Sequence, residues 1–157
     1  MIDRICKFIA SLFCIGYIPV APGTLGSFVA LFFYFFVKDY PELIGPIILI
    51  SFILGILTAG RAEQGFGGKD SSEIIIDEFV GMLVSLYLLP VRFGYIVWAF
   101  LLFRFFDIVK PFPVNRLEEL SGGLGIMLDD IMAGVYTNLI LHGVHLLFFI
   151  INRVWHS

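Results

Sequence analysis

Charged residues are scarce in this chain. Ten Lys and Arg and 13 Asp and Glu make up 15% of its 157 residues, against 59% that are hydrophobic. A water-soluble domain carries about 25% charged and about 45–50% apolar residues, and the mean hydropathy here is +0.97. So short a chain cannot hide that excess in an internal core. The surplus apolar surface is expected to lie against lipid. A basic stripe is also missing and the net charge is −3, which argues against nucleic acid as a partner.

Cysteine is nearly absent. Cys6 and Cys14 are the only two, and no CxxC or Cys/His spacing suggests zinc. Both are expected to be small buried hydrophobes rather than a disulfide. A cleavage motif is lacking as well. Arg4 and Lys7 precede an apolar run, as in a signal peptide, but no A-x-A-like site follows, so the segment is expected to be retained.

What the chain does have is long uncharged runs. From Ile131 to Asn152 there is no Asp, Glu, Lys or Arg, enough to cross a bilayer at about 20 residues per span. Such runs predict a short N-terminal amphipathic or re-entrant helix, a bend at the Pro22–Gly23 step, and spans near 24–37, 43–60, 74–89, 93–106 and 126–151. Polar stretches at 38–42, 61–73 and 107–125 and the tight LPVRF segment connect them. The expectation is an all-α integral membrane helical bundle of about five spanning or half-spanning helices, forming a single membrane domain over residues 1–157.

Five crossings sort the basic residues unequally. Arg4, Lys7, Arg61, Lys69, Arg104, Lys110 and Arg116 fall on one side, and only Lys38, Arg92 and Arg153 on the other. The first side is therefore expected in the cytoplasm. Eleven of the acids share it; only Asp39 and Glu42 do not. Acids do not set topology, so the imbalance calls for a cause of its own. A cation site is the simplest one.

Three segments bring acids to that face: IIIDEFVGM carries Asp77 and Glu78, FRFFDIVKPFPV carries Asp107, and LDDIMAGV carries Asp129 and Asp130. Five crowded carboxylates repel unless cations intervene. Hard oxygen ligands without nearby His or Cys suit magnesium rather than zinc. Gly81 follows Asp77 by four residues, and Ala133 and Gly134 follow Asp129 and Asp130 likewise; small residues there would let helices approach closely. Arg104 and Lys110 flank Asp107 at three-residue steps and read as a phosphate clamp. In PGTLGS, Thr24 or Ser27 could cap a helix and help expose its N–H groups to an anion. The plainer reading pairs a few acids with Arg104 and Lys110 as structural glue, but those cations are too few for the whole set.

His142 and His145 stand 12 and 15 residues beyond Asp130, about 18–22 Å along a helix. They are expected to make helix-packing hydrogen bonds or to sit in the opposite leaflet. The acids Glu63, Asp70, Glu118 and Glu119 are expected to face solvent.

A metal, a clamp and a membrane face imply a phosphorylated, lipid-linked substrate. The phosphate loop of cysteine phosphatases, the Asp-x-Asp of aspartyl-phosphate enzymes, the motifs of histidine-nucleophile lipid phosphatases and the CDP-alcohol transferase motif are all missing. What remains is water activated by a metal, with a carboxylate as base.

PGTLGS, IDEFVGM, FRFFDIVKPFPV and GGLGIMLDDIMAGV, in this order between Pro22 and Val135, resemble the motifs of the phosphatidylglycerophosphatase A family. The resemblance implies a magnesium-dependent hydrolase of the bacterial inner membrane. It would convert phosphatidylglycerophosphate to phosphatidylglycerol, with its site facing the cytoplasm. It makes Asp77, Glu78, Asp129 and Asp130 the expected magnesium ligands, and one of these carboxylates or Asp107 the group that orients water. Arg104 and Lys110, helped by Thr24 and Ser27, would hold the phosphate. The competing class is a transport protein for magnesium or another cation. Against it, the acids gather at one face instead of running through the bilayer, and no repeat or discontinuous helix pair is visible.

Overall fold

Proline opens helices in this chain. The computed structural model, which describes residues 1–68, 71–112, 114–117 and 120–155, places Pro22 and Pro41 in the first turns of α2 (Pro22–Val37) and α3 (Pro41–Phe66). A first-turn N–H has no helical partner, so proline loses nothing there. Ahead of them lie α1 (Ile2–Ala10) and a short 3-10 helix, Ile15–Tyr17. After them come α4 (Ile76–Leu86), α5 (Phe93–Val109), α6 (Val114–Leu117) and α7 (Gly123–Trp155). The described residues contain no strand, in keeping with the all-α expectation.

The chain bends as expected just ahead of α2, where Ala21 with φ 45° leads into Pro22, and a second turn lies upstream. Leu12, Phe13 and Cys14 take φ values of 46°, 59° and 73°, a left-handed turn that costs roughly 1–2 kcal/mol per non-glycine residue. Hydrogen bonds hold it: the Cys14 N–H donates to Ser11 Oγ at 3.1 Å and the Phe13 N–H to the Phe8 carbonyl at 2.9 Å. This turn leaves Cys14 exposed while Cys6 is buried, so only one cysteine behaves as a buried hydrophobe. Helix α1 is amphipathic. Cys6 and Ala10 are buried, Ile2, Ile5 and Phe8 stay exposed, and Lys7 donates to the Gly65 carbonyl at the end of α3. The Ala10 carbonyl accepts from the Ile75 N–H at 3.0 Å, which fastens α1 to the approach of α4.

Helices α3 and α7 are long and apolar enough to cross a membrane, with 26 and 33 residues, or about 39 and 50 Å at 1.5 Å per residue. Only 22% and 17% of their apolar windows are buried within the protein. They are therefore not core helices of a soluble fold. Phe32, Phe36, Leu57 and Ile108 are each at least 65% exposed, an apolar surface too broad for water. The chain is a membrane protein.

Two expected boundaries move. Helix α3 runs through the first part of the polar stretch 61–73 and stops at Gly67, whose φ of 110° is the usual left-handed glycine end. The span expected over 74–89 is only the 11-residue α4, about 16 Å long and half the roughly 30 Å hydrocarbon core. Eight of its 11 residues are buried, because α2, α3, α5 and α7 all pack around it. Apolar content alone could not separate a central helix from a spanning one. Where α4 ends at depth, α7 supplies donors: Asn138 Nδ2 donates to the Tyr87 carbonyl at 2.8 Å, and His142 Nε2 to the same oxygen at 3.2 Å. Backbone that stops inside a membrane needs such partners. His145 bonds with the Tyr95 hydroxyl at 3.0 Å, so both histidines make the helix-packing contacts expected of them.

Candidate active site

The middle of α4 and the fourth turn of α7 meet through glycine. A Cβ on Gly81 would lie 2.6 Å from the Asp130 carbonyl oxygen, and one on Gly134 would run into the Gly81 carbonyl. Only hydrogen at both places permits this crossing, as the i+4 spacing suggested. One turn away on each helix stand the acids. Asp77, Glu78 and Asp130 each offer a carboxylate oxygen, all within 4.8 Å of one another. Glu78 Oε2 and Asp130 Oδ2 are buried without a hydrogen-bond partner among the described residues.

These residues fit a hard cation. Oxygens on opposite sides of a magnesium ion lie about 4 Å apart, twice its 2.0–2.1 Å bond length, close to the spread observed. The donor set is all oxygen, and the two orphaned carboxylate oxygens lack any other relief from burial.

Asp129 stands apart from this trio. Its Oδ2 is 2.9 Å from Lys110 Nζ and its Oδ1 accepts from the Asp130 N–H at 3.0 Å. Lys110 is not on the helix of Arg104 and Asp107, as its spacing suggested. It follows the end of α5 with φ 46°, and the turn is pinned where the Tyr136 hydroxyl donates to the Phe112 carbonyl at 3.0 Å. A bulky residue held in the left-handed region is often a sign of a functional constraint.

A cavity of about 470 Å³ opens beside these groups, lined by Asp77, Glu78, Asp107, Lys110, Asp129 and Asp130 among others. Arg104 does not line it. Its guanidinium pairs with Asp107 and packs with Glu78 against Gly23, where a Cβ would lie 3.0 Å from Arg104 Nη1. Arg104 therefore steadies two carboxylates from behind. Ser27 is fully buried and donates to the Gly23 carbonyl of its own helix at 3.0 Å, and no side chain caps α2. The expected capping by Thr24 or Ser27 is corrected accordingly, and neither residue reaches the cavity. A serine in a helix commonly bonds back to the carbonyl four residues earlier.

Sequence reasoning missed Glu63. Expected in solvent, it is half-buried and lines the cavity with Ser71 and Ser121, because α3 extends past Gly60. The helix-forming run Arg61–Ala62–Glu63–Gln64 was the available signal. Asp70, Glu118 and Glu119 lie outside the described residues.

The fold and site define an all-helical membrane protein with a carboxylate cavity suited to a hard cation at one end of its bundle. The chain belongs to the phosphatidylglycerophosphatase A family, whose sequence model matches residues 8–145. It is 33% identical over 130 residues to phosphatidylglycerophosphatase A of Escherichia coli, covering 81% of this chain and 76% of that protein. Phosphatidylglycerophosphatase A of Haemophilus influenzae is 35% identical over 144 residues, 82% of each chain. A Bacteroides thetaiotaomicron protein whose name, a provisional one, is phosphatidylinositol-3-phosphatase is 35% identical over 135 residues, 80% of this chain and 84% of its own. No solved structure matches.

Proposed function

We propose that this chain hydrolyses the terminal phosphate monoester of phosphatidylglycerophosphate, giving phosphatidylglycerol and inorganic phosphate, with magnesium as cofactor. The observation that carries the reading is the trio Asp77, Glu78 and Asp130, with two orphaned buried oxygens, beside Lys110 in one cavity. Membership of the family supports the substrate. All three relatives bear the name of a lipid phosphomonoesterase, and they differ in headgroup.

Asp77, Glu78 and Asp130 would hold the metal. Bound there, it supplies positive charge beside the transferring phosphoryl group. Lys110 is placed to meet the phosphoryl oxygens as a point charge, held in register by Asp129. Arg104 orients Asp107 and Glu78. Water attacks phosphorus, the bond to the glycerol oxygen breaks, and that oxygen leaves with a proton. Asp107 or another cavity carboxylate orients the water and accepts its proton. Catalysis of this kind is chiefly positioning and electrostatics.

The site end gathers the starts of α2, α4 and α7 and the ends of α3 and α5, the alternation of five antiparallel passes, with α4 a half pass. The basic residues of that end support the cytoplasmic face of a bacterial inner membrane as its side. Acyl chains would lie between helices with the headgroup at the interface.

The test is phosphate release by the purified protein in detergent, from phosphatidylglycerophosphate and from phosphatidylinositol 3-phosphate, with EDTA and with magnesium restored. Magnesium-dependent release from phosphatidylglycerophosphate is expected. Release from the phosphoinositide alone would reassign the headgroup, and release from neither would overturn the reading.

A further inference from the structure

A second concavity, of about 730 Å³, lies between α5 and α7 at the end of the bundle away from the acids. Arg92, just ahead of α5, stands at its outer end and Leu102 at its inner end. Ten residues of helix separate them, about 15 Å, which is half of a roughly 30 Å hydrocarbon core and so the depth of one leaflet. Trp98 and Val144 form apolar walls. A Cβ on Gly94 would meet nothing within 4 Å, so the groove is open at its outer end. The Tyr95–His145 hydrogen bond joins the two helices beside it.

Charge selects the occupant. No Asp or Glu lines the groove. Arg92 is exposed and makes no ion pair among the described residues. An apolar slot one leaflet deep with an uncompensated guanidinium at its mouth complements an acyl chain below an anionic phosphate.

We propose that this groove binds one phospholipid with an anionic headgroup, its phosphate on Arg92 and an acyl chain between α5 and α7, in the leaflet opposite the acid cavity. The assignment rests on the bundle spanning the membrane and not on the phosphatase reaction.

Native mass spectrometry of the full chain in detergent, incubated with equal phosphatidylglycerol and phosphatidylcholine, tests it without any turnover. The wild type should retain one phosphatidylglycerol with about fivefold preference, the effect of one basic residue near an anionic lipid. Arg92→Ala should erase the preference, and Gly94→Leu should reduce retention of both lipids. Lys38→Ala, at the end of α2 and outside the groove, should leave both unchanged. Arg92 and Gly94 are exposed, so circular dichroism should show wild-type helix in each. A preference that survives Arg92→Ala, or one lost in Lys38→Ala, overturns the proposal. So does a dimer that Gly94→Leu breaks, since the groove would then hold a second copy of the chain.

Discussion

Lys110 Nζ lies 2.9 Å from Asp129 Oδ2, joining the residue that ends α5 to the second turn of α7. The lysine reaches across because its backbone is left-handed, with φ 46°. Deleting it removes both a charge and a strained side chain, and the two effects separate experimentally. Lys110→Ala and Lys110→Gly should each lower kcat/KM by roughly 10- to 100-fold, since a hydrogen bond to a charged group contributes about 1.5–3 kcal/mol. The glycine variant should melt a few degrees above the alanine one, because only glycine takes that φ without cost. Unchanged kinetics would remove Lys110 from the site, and equal melting temperatures would contradict its conformation.

Asp129 and Asp130 are neighbours with different partners. Asp130→Asn, like Asp77→Asn, should abolish magnesium-dependent phosphate release and the thermal stabilisation that magnesium gives the wild type. That stabilisation is about 2.7 kcal/mol at a concentration 100 times Kd. Asp129→Asn should lose rate yet keep the magnesium shift. A thermal titration of the three variants distinguishes them; loss of the shift in Asp129→Asn would place that residue among the metal ligands.

Close contact at Gly81 makes a third prediction. Gly81→Ala forces α4 from α7 and should cost about 1–3 kcal/mol, as overpacking does, while separating Asp77 and Glu78 from Asp130. Reduced magnesium affinity and a lower melting temperature are expected together. Gly94→Ala, where a Cβ meets open space, is the control. Wild-type affinity in Gly81→Ala would mean the helices yield elsewhere.

Asn138 should matter for stability more than for chemistry. Asn138→Leu keeps the shape but strips the side-chain donor from the Ser85 carbonyl, 3.3 Å away, and leaves the Tyr87 carbonyl with His142 alone. Left unpaired, the partly buried Ser85 carbonyl would cost about 1–3 kcal/mol. The melting temperature should fall while KM holds; an unchanged melt would show that the end of α4 is satisfied without it.

The acids at the site end were legible in the sequence because charge bordering a long apolar run demands a partner, and Gly81 and Gly134 because small residues one turn from an acid imply close helices. Their partners were harder to read. Arg104 and Lys110 share a spacing, but α5 stops between them, and a chain ending cannot be read from spacing alone. Ser27 has the right chemistry for an anion and spends it on its own helix. The central place of α4 was hidden because a buried helix and a lipid-facing one have the same composition. Glu63 reads as a solvent residue because a polar run usually marks a helix end, yet α3 continues to its cap at Gly67.

The brevity of α4 has a consequence for how the protein meets bilayers of different thickness. Hydrophobic mismatch acts on α3 and α7, which are long enough to tilt. Helix α4 is sheathed by its neighbours. Its glycine crossing with α7 sits one turn from the trio, so the carboxylates stand where the two helices touch. A change in bilayer thickness would therefore be met by the exposed lengths of α3 and α7 rather than by the crossing that holds the carboxylates.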